Sequence, residues 1–193
     1  MIRRLGQLAA VVVAAILLIA MQRTTPTYDF LTGPVPVSGI SGETVEARTF
    51  TIQVDRVEFA RRLTFGSPGF EKTRDTGGIW AIVTATLAAR DGTVSVAGVE
   101  WEGPTGTRYA PTERILGVQS LLTLQALQPG LPVRGWFVFE VPADQMQGAV
   151  LRVSQARFPH FDSLVRIDLD RTDGRPLQIR DTFDLTRPPP RVY

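Results

Sequence analysis

Beyond Glu46 the apolar residues of this chain recur at every second position far more often than at every third or fourth. Arg48–Phe59 (RTFTIQVDRVEF) shows the pattern, with Phe50, Ile52 and Val54 set between polar neighbours as in a strand with one buried face. Such a chain buries its apolar side by stacking sheets, not by bundling helices. Gly78–Ala89 (GIWAIVTATLAA) is apolar on both faces, which predicts a central strand, and Arg90-Asp91-Gly92 after it carries the Asp-Gly signal of a tight hairpin. Further strands are expected at Thr93–Glu102, Thr107–Ala110, Ser120–Leu127, Val133–Val141 and Ala149–Ser154, punctuated by Gly103-Pro104-Thr105-Gly106, Gln128-Pro129-Gly130 and Pro142. One helical turn fits Ala143–Gln147, and a last hairpin is expected from Leu164–Leu169 to Leu177–Arg180 with Thr172-Asp173-Gly174-Arg175 at its tip. Seven to nine short strands separated by turns predict an all-β sandwich.

The amino terminus obeys a different rule. Leu5 to Met21 is a run of seventeen residues without a charge, preceded by Arg3 and Arg4 and followed by Arg23. As a helix it is roughly 25 Å long, enough to cross a bilayer with snorkelling arginines or local thinning. The run ends Leu18-Ile19-Ala20-Met21-Gln22-Arg23, without the small-x-small pattern that a cleaved signal peptide needs, so a retained N-terminal transmembrane helix is the expectation. The positive-inside rule then puts the N-terminus in the cytoplasm and the remainder outside, at the cell membrane. The expected organisation is an anchor at 1–23, a Pro-, Gly-, Ser- and Thr-rich flexible linker at 24–46, the sandwich with its C-terminal hairpin at 47–186, and a proline-rich tail at 187–193.

Charge excludes one class of partner. The net +2 comes from 21 basic and 19 acidic residues, and three of the basic ones, Arg3, Arg4 and Arg23, flank the apolar run. The rest of the chain is nearly neutral and offers no basic footprint for DNA or RNA. The absence of cysteine removes disulfides, zinc–thiolate sites and thiol nucleophiles together.

Three stretches resemble the bacterial extracytoplasmic immunoglobulin-like domains of unknown function whose sandwich is called telokin-like. Gly78-Ile79-Trp80-Ala81-Ile82-Val83-Thr84-Ala85-Thr86-Leu87 looks like that family's central strand. Val99-Glu100-Trp101-Glu102 with Gly106-Thr107-Arg108-Tyr109 looks like a displayed hairpin, and Leu127-Gln128-Pro129-Gly130 with Val133–Pro142 is similar to the family's turn and following strand. The resemblance covers roughly 48–154 and implies an immunoglobulin-like β-sandwich on a lipoprotein or anchored surface protein with no assigned enzymatic activity. This chain departs from the lipoprotein form, having no cysteine to acylate, and it continues past the match from Gln155 to Tyr193.

Candidate sites are few. The sole histidine, His160, reads as a loop residue packed by Phe158 and Phe161, since it has no nucleophile or orienting partner in sequence. Asp168, Asp170 and Asp173 approach a calcium-loop spacing, but the third is displaced and no closing glutamate follows, so a hairpin explains them better. The longest expected connection, Ala60–Gly77, combines Arg61, Arg62, Lys72 and Arg74 with Phe65 and Phe70, and is the preferred binding surface. Trp101, between Glu100 and Glu102, is the one tryptophan expected to face a ligand, whereas Trp80 and Trp136 read as core. No catalytic residue, cofactor or metal is expected. The expectation is a non-enzymatic interaction module in the cell envelope with a protein partner. The alternative is a secreted or periplasmic β-sandwich hydrolase or carbohydrate-binding protein, for which Asp168 and Asp170 are available but unarranged.

Overall fold

The computed structural model describes residues 2–24, 32–67, 69–115, 117–158, 161–170 and 178–189. They form two compact units, 1–33 and 34–193. The first contains helix α1 (Ile2–Thr24). Its large apolar side chains from Val11 to Met21 are each more than half exposed, on every face of the helix. Among the described residues no helix is long and apolar enough to cross a membrane. The expectation of a transmembrane helix is therefore not supported by the described residues, although the segment is helical from Ile2 to Thr24.

Among its described residues the second unit holds ten strands: β1 (Val35–Ile40), β2 (Thr44–Glu46), β3 (Phe50–Phe65), β4 (Lys72–Ala89), β5 (Gly98–Glu102), β6 (Arg108–Tyr109), β7 (Val133–Val141), β8 (Val150–Ser154), β9 (Ser163–Asp168) and β10 (Ile179–Asp184). One sheet runs β1-β9-β8-β5-β6 and the other β10-β3-β4-β7, with β2 on the same edge of β3 as β10. The result is the expected β-sandwich, with one or more strands beyond the expected seven to nine. Two of its pairings are parallel, β1 with β9 and β10 with β3.

Several expected elements differ. The linker expected over 24–46 is partly strand, because β1 and β2 already belong to the two sheets. The strand expected at Ser120–Leu127 is a 3-10 turn at Leu122–Leu124 flanked by single bridges from Leu121 to Trp136 and from Leu127 to Val94. The last hairpin does not form, since β9 and β10 lie in different sheets, and its expected tip at 172–175 lies outside the described residues. The extension from Gln155 thus completes both sheets.

Two hydrophobic cores explain why β4 and β7 are apolar on both sides. Ile79, Ala81, Val83, Ala85 and Leu87 of β4, with Phe137, Phe139 and Val141 of β7, face the other sheet. The alternate residues, Trp80, Ile82, Trp136 and Val138, form a second core on the outer face, where Ile115, Val118 and Leu121 cover them. Trp101 is fully buried in the first core, set edge-on to Phe59 at 6.0 Å and tilted against Phe139 at 5.8 Å. Its Nε1–H donates to the Gln145 carbonyl at 2.9 Å, tying the 3-10 turn Ala143–Gln145 to the core. The ligand-facing reading of Trp101 is therefore wrong: with Glu100 and Glu102 on the outer face, strand alternation turns Trp101 inward. Replacing Trp101 with Ala should cost about 3–5 kcal/mol of unfolding free energy by urea titration, whereas a ligand-facing surface tryptophan would change it by about 0.5 or less.

Candidate functional site

The segment expected as a long loop is the end of a hairpin. β3 continues to Phe65 and β4 begins at Lys72, so only 66–71 turn between them. The register of β3 on β4 shifts between Val54 and Arg56 and again between Ala60 and Arg62. Each bulge inverts the phase of alternation. Phe50, Ile52 and Val54 face the first core, then Phe59 does, and beyond the second bulge Leu63 and Phe65 face the outer core.

This geometry separates the seven sequence-chosen residues. Phe65 is buried under the outer core, and Trp101 lies in the inner one. Arg61, Arg62, Phe70, Lys72 and Arg74 gather on the exposed hairpin end, where Phe70 at the tip is 81% exposed. Arg62 is paired with Asp75 at 2.6 Å. Arg61, Lys72 and Arg74 make no ion pair among the described residues, and Glu71 is the neighbouring acid. The base of the hairpin end is pinned. Glu140 of β7 accepts a hydrogen bond from Thr76 at 2.5 Å and two from Arg114 at 2.8 and 2.9 Å. Burial pushes the Glu140 carboxyl up, but the Thr76 and Arg114 hydrogen bonds outweigh it and hold it below its ordinary value. The Arg114 guanidinium also lies 5.6 Å over the Trp80 ring, and Trp80 Nε1 donates to the Arg74 carbonyl at 3.3 Å.

The outer face of the first sheet carries a charge ladder across four strands. Glu102 of β5 receives Arg152 of β8 at 2.6 Å, Arg166 of β9 at 2.8 Å and Arg108 of β6 at 3.2 Å. Glu100 receives Arg152 at 3.2 Å. Burial alone would raise the Glu102 carboxyl, yet hydrogen bonds from Arg166 and Arg152 and their charge lower it to about 2. A carboxyl held there is ionised at neutral pH and is a poor general acid. The ladder is a structural clamp joining β6, β5, β8 and β9.

A third feature is absent from the sequence reading. On the outer face of the second sheet a cleft of about 420 Å³ lies among Trp136, Phe183, the Arg56–Glu58–Arg180 ion cluster and Arg187–Pro189. The Trp136 and Phe183 rings meet edge-on at 6.3 Å. Its formation depends on the parallel pairing of β10 with β3, which no local pattern signals. Among the described residues no group of three or more His, Cys, Asp or Glu could hold a metal ion. Asp168 accepts a hydrogen bond from the Asp170 amide at 2.9 Å, a local turn, while Asp173 and His160 lie outside the described residues.

Neither a protein-family model nor a curated protein sequence matches the chain. Among solved structures it is similar to the yjhA protein of Bacillus subtilis, at 15% identity and a TM-score of 0.49, over 67% of this chain and 99% of that one. It is also similar to an uncharacterised β-sandwich protein of Clostridium difficile 630 (10% identity, 74% and 99% coverage, TM-score 0.43). A candidate lipoprotein of Staphylococcus aureus subsp. aureus NCTC 8325 is similar at 9% identity, over 75% of this chain and 96% of that one, with a TM-score of 0.44. Likenesses this distant assign no activity.

The clamp has a pH signature. Because the folded carboxyl of Glu102 is depressed, its stabilisation is fully present above the unfolded value and is lost as pH falls toward about 2. Glu102→Gln should therefore be less stable than the parent at pH 7 by urea unfolding, and the gap should close progressively below the ordinary carboxylate value of 4.5. A gap independent of pH would contradict the assignment.

Proposed function

We propose that the protein is a membrane-anchored, non-enzymatic interaction module of the cell envelope. In this reading α1 holds an extracytoplasmic immunoglobulin-like, telokin-like sandwich, and the β3–β4 hairpin end engages an envelope protein. The observation that carries the reading is the composition of that hairpin end. Phe70 is a large apolar side chain 81% exposed at a tip, and the strands that lead to and from that tip carry exposed Arg61, Lys72 and Arg74 on a base pinned through Glu140. An exposed aromatic supplies buried area on docking, and unpaired cations around it give orientation and select an acidic partner surface.

The anchor is supported by two further facts. The run Leu5–Met21 carries no charge, and the described apolar side chains of α1 are exposed on all its faces, with no amphipathic stripe to pack on a protein core. The basic flank at Arg3 and Arg4 favours a cytoplasmic amino terminus. An enzymatic or sugar-binding reading gains no support from the described residues. Trp101 is core, and Glu102 is clamped by arginines.

A photo-crosslinking amino acid at position 70 of the full-length protein, activated in membranes, should give one discrete protein adduct. Combined Arg61→Glu, Lys72→Glu and Arg74→Glu substitutions should abolish that adduct while leaving the thermal unfolding temperature nearly unchanged. An adduct unaffected by the charge reversal, or none at all, would remove the hairpin end as the docking surface.

A further inference from the structure

We infer that the end of the sandwich opposite this hairpin tip seats on the lipid bilayer surface through Phe158 and Phe161. This rests on the reading of α1 as the anchor. Both residues belong to the connection from β8 to β9, and both are solvent-facing, Phe158 at 77% and Phe161 at 68%. Single exposed apolar residues need no explanation, but these two have company. Val35 and Leu131, also more than half exposed, lie at the same end. Val35 opens β1 with its amide donating to the Asp162 carbonyl at 2.8 Å. Leu131 follows the Gln128–Gly130 turn, whose Pro129 bridges Ala89, the partner of Phe50 at the start of β3.

The display of Phe161 is built. Its φ of 51° is in the left-handed region, which bulky residues rarely adopt. The next residue locks the turn: Asp162 Oδ1 accepts the Ser163 amide at 2.7 Å and Arg48 Nε at 3.0 Å. Arg48 in turn donates its amide to Ser163 Oγ at 2.9 Å. Burial pushes the Asp162 carboxyl up, but the Arg48 and Ser163 hydrogen bonds hold it below its ordinary value, so the lock stays charged at neutral pH.

Chain connectivity selects the bilayer as the occupant. The sandwich is entered at Val35, beside Phe161, and only residues 25–34 separate that point from the end of α1 at Thr24. Ten residues reach at most about 35 Å. β3 starts at this end, next to Arg48, and runs sixteen residues to the hairpin tip, a rise of roughly 50 Å. An anchor holding one end of β3 near the membrane leaves the phenylalanine end toward lipid and Phe70 away from it. The charges there nearly balance: Arg48 is paired with Asp162 and Arg90 with Glu46, leaving Arg157 and Asp91. Seating is therefore driven by apolar insertion at the headgroup boundary and is only weakly sensitive to salt.

The native tryptophans provide a clean background, because Trp80, Trp101 and Trp136 are all buried. Full-length Phe161→Trp, Phe158→Trp and Phe70→Trp variants are placed in vesicles whose phospholipids are brominated near the glycerol end of the acyl chains. The emission added at 161 and 158 should be quenched relative to unbrominated vesicles, at low and high salt alike, while that added at 70 is not. Vesicle-bound protein quenched no more at 161 and 158 than at 70 overturns the inference and leaves the anchor standing. Contact of position 161 with a second copy of the chain in place of quenching likewise overturns it. Protein that fails to float with the vesicles removes the anchor and the inference together.

Discussion

The burial of β4 on both of its faces is the constraint from which the rest of the sandwich follows. A strand with one apolar face needs one sheet to pack on. Because Trp80 and Ile82 alternate with Ile79, Ala81 and Val83, the second sheet needs a cover as well. That cover is the connection between β6 and β7, whose Ile115, Val118 and Leu121 close the outer core. It also protects the edge of the sheet. Trp136 donates its amide to the Ser120 carbonyl at 2.9 Å, and the Val138 carbonyl accepts the Thr112 amide at 2.8 Å. Gly135 is where this cover comes nearest, and a Cβ there would collide with the Ser120 carbonyl.

The two chain segments outside the central strands complete the sheets by parallel pairing. β1 joins β9, and β10 joins the far half of β3 while β2 takes the near half. The two parallel pairings, β1 with β9 and β10 with β3, bring together residues more than a hundred positions apart, as in Val35 with Ser163 and Ile179 with Phe59. They place the entry of the chain, the Asp162 lock and the exposed phenylalanines at one end, and the cationic hairpin tip at the other.

Much of this was legible in the residue pattern. Val133–Val141 is a strand over the expected bounds, and β8 and the turn at Ala143 fall within a residue or two of expectation. The two bulges in β3 hid the hairpin end, because each inverts the alternation and makes one strand read as a strand followed by a loop. The pairing of β9 and β10 with different sheets was illegible for a different reason: two amphipathic runs with a turn signal between them look the same whether or not they pair. On the hairpin end the cations and Phe70 are exposed as neighbours in sequence, whereas Phe65 is buried by the phase change. Trp101 was readable in principle, since two glutamates flanking it on one strand point away from it. The cleft at Trp136 and Phe183 depends on β10 reaching β3 and left no local trace.

Hydrogen exchange of the full-length protein tests the central claim most directly, because it reports whether 60–65 and 72–79 belong to the sheet. Amides there that pair across β3 and β4 should exchange nearly as slowly as those of 50–54 and 85–89, with fast exchange confined to the turn at 66–71. Protection that ends at Phe59 and resumes only at Gly78 would contradict the account and return the segment to a solvated loop.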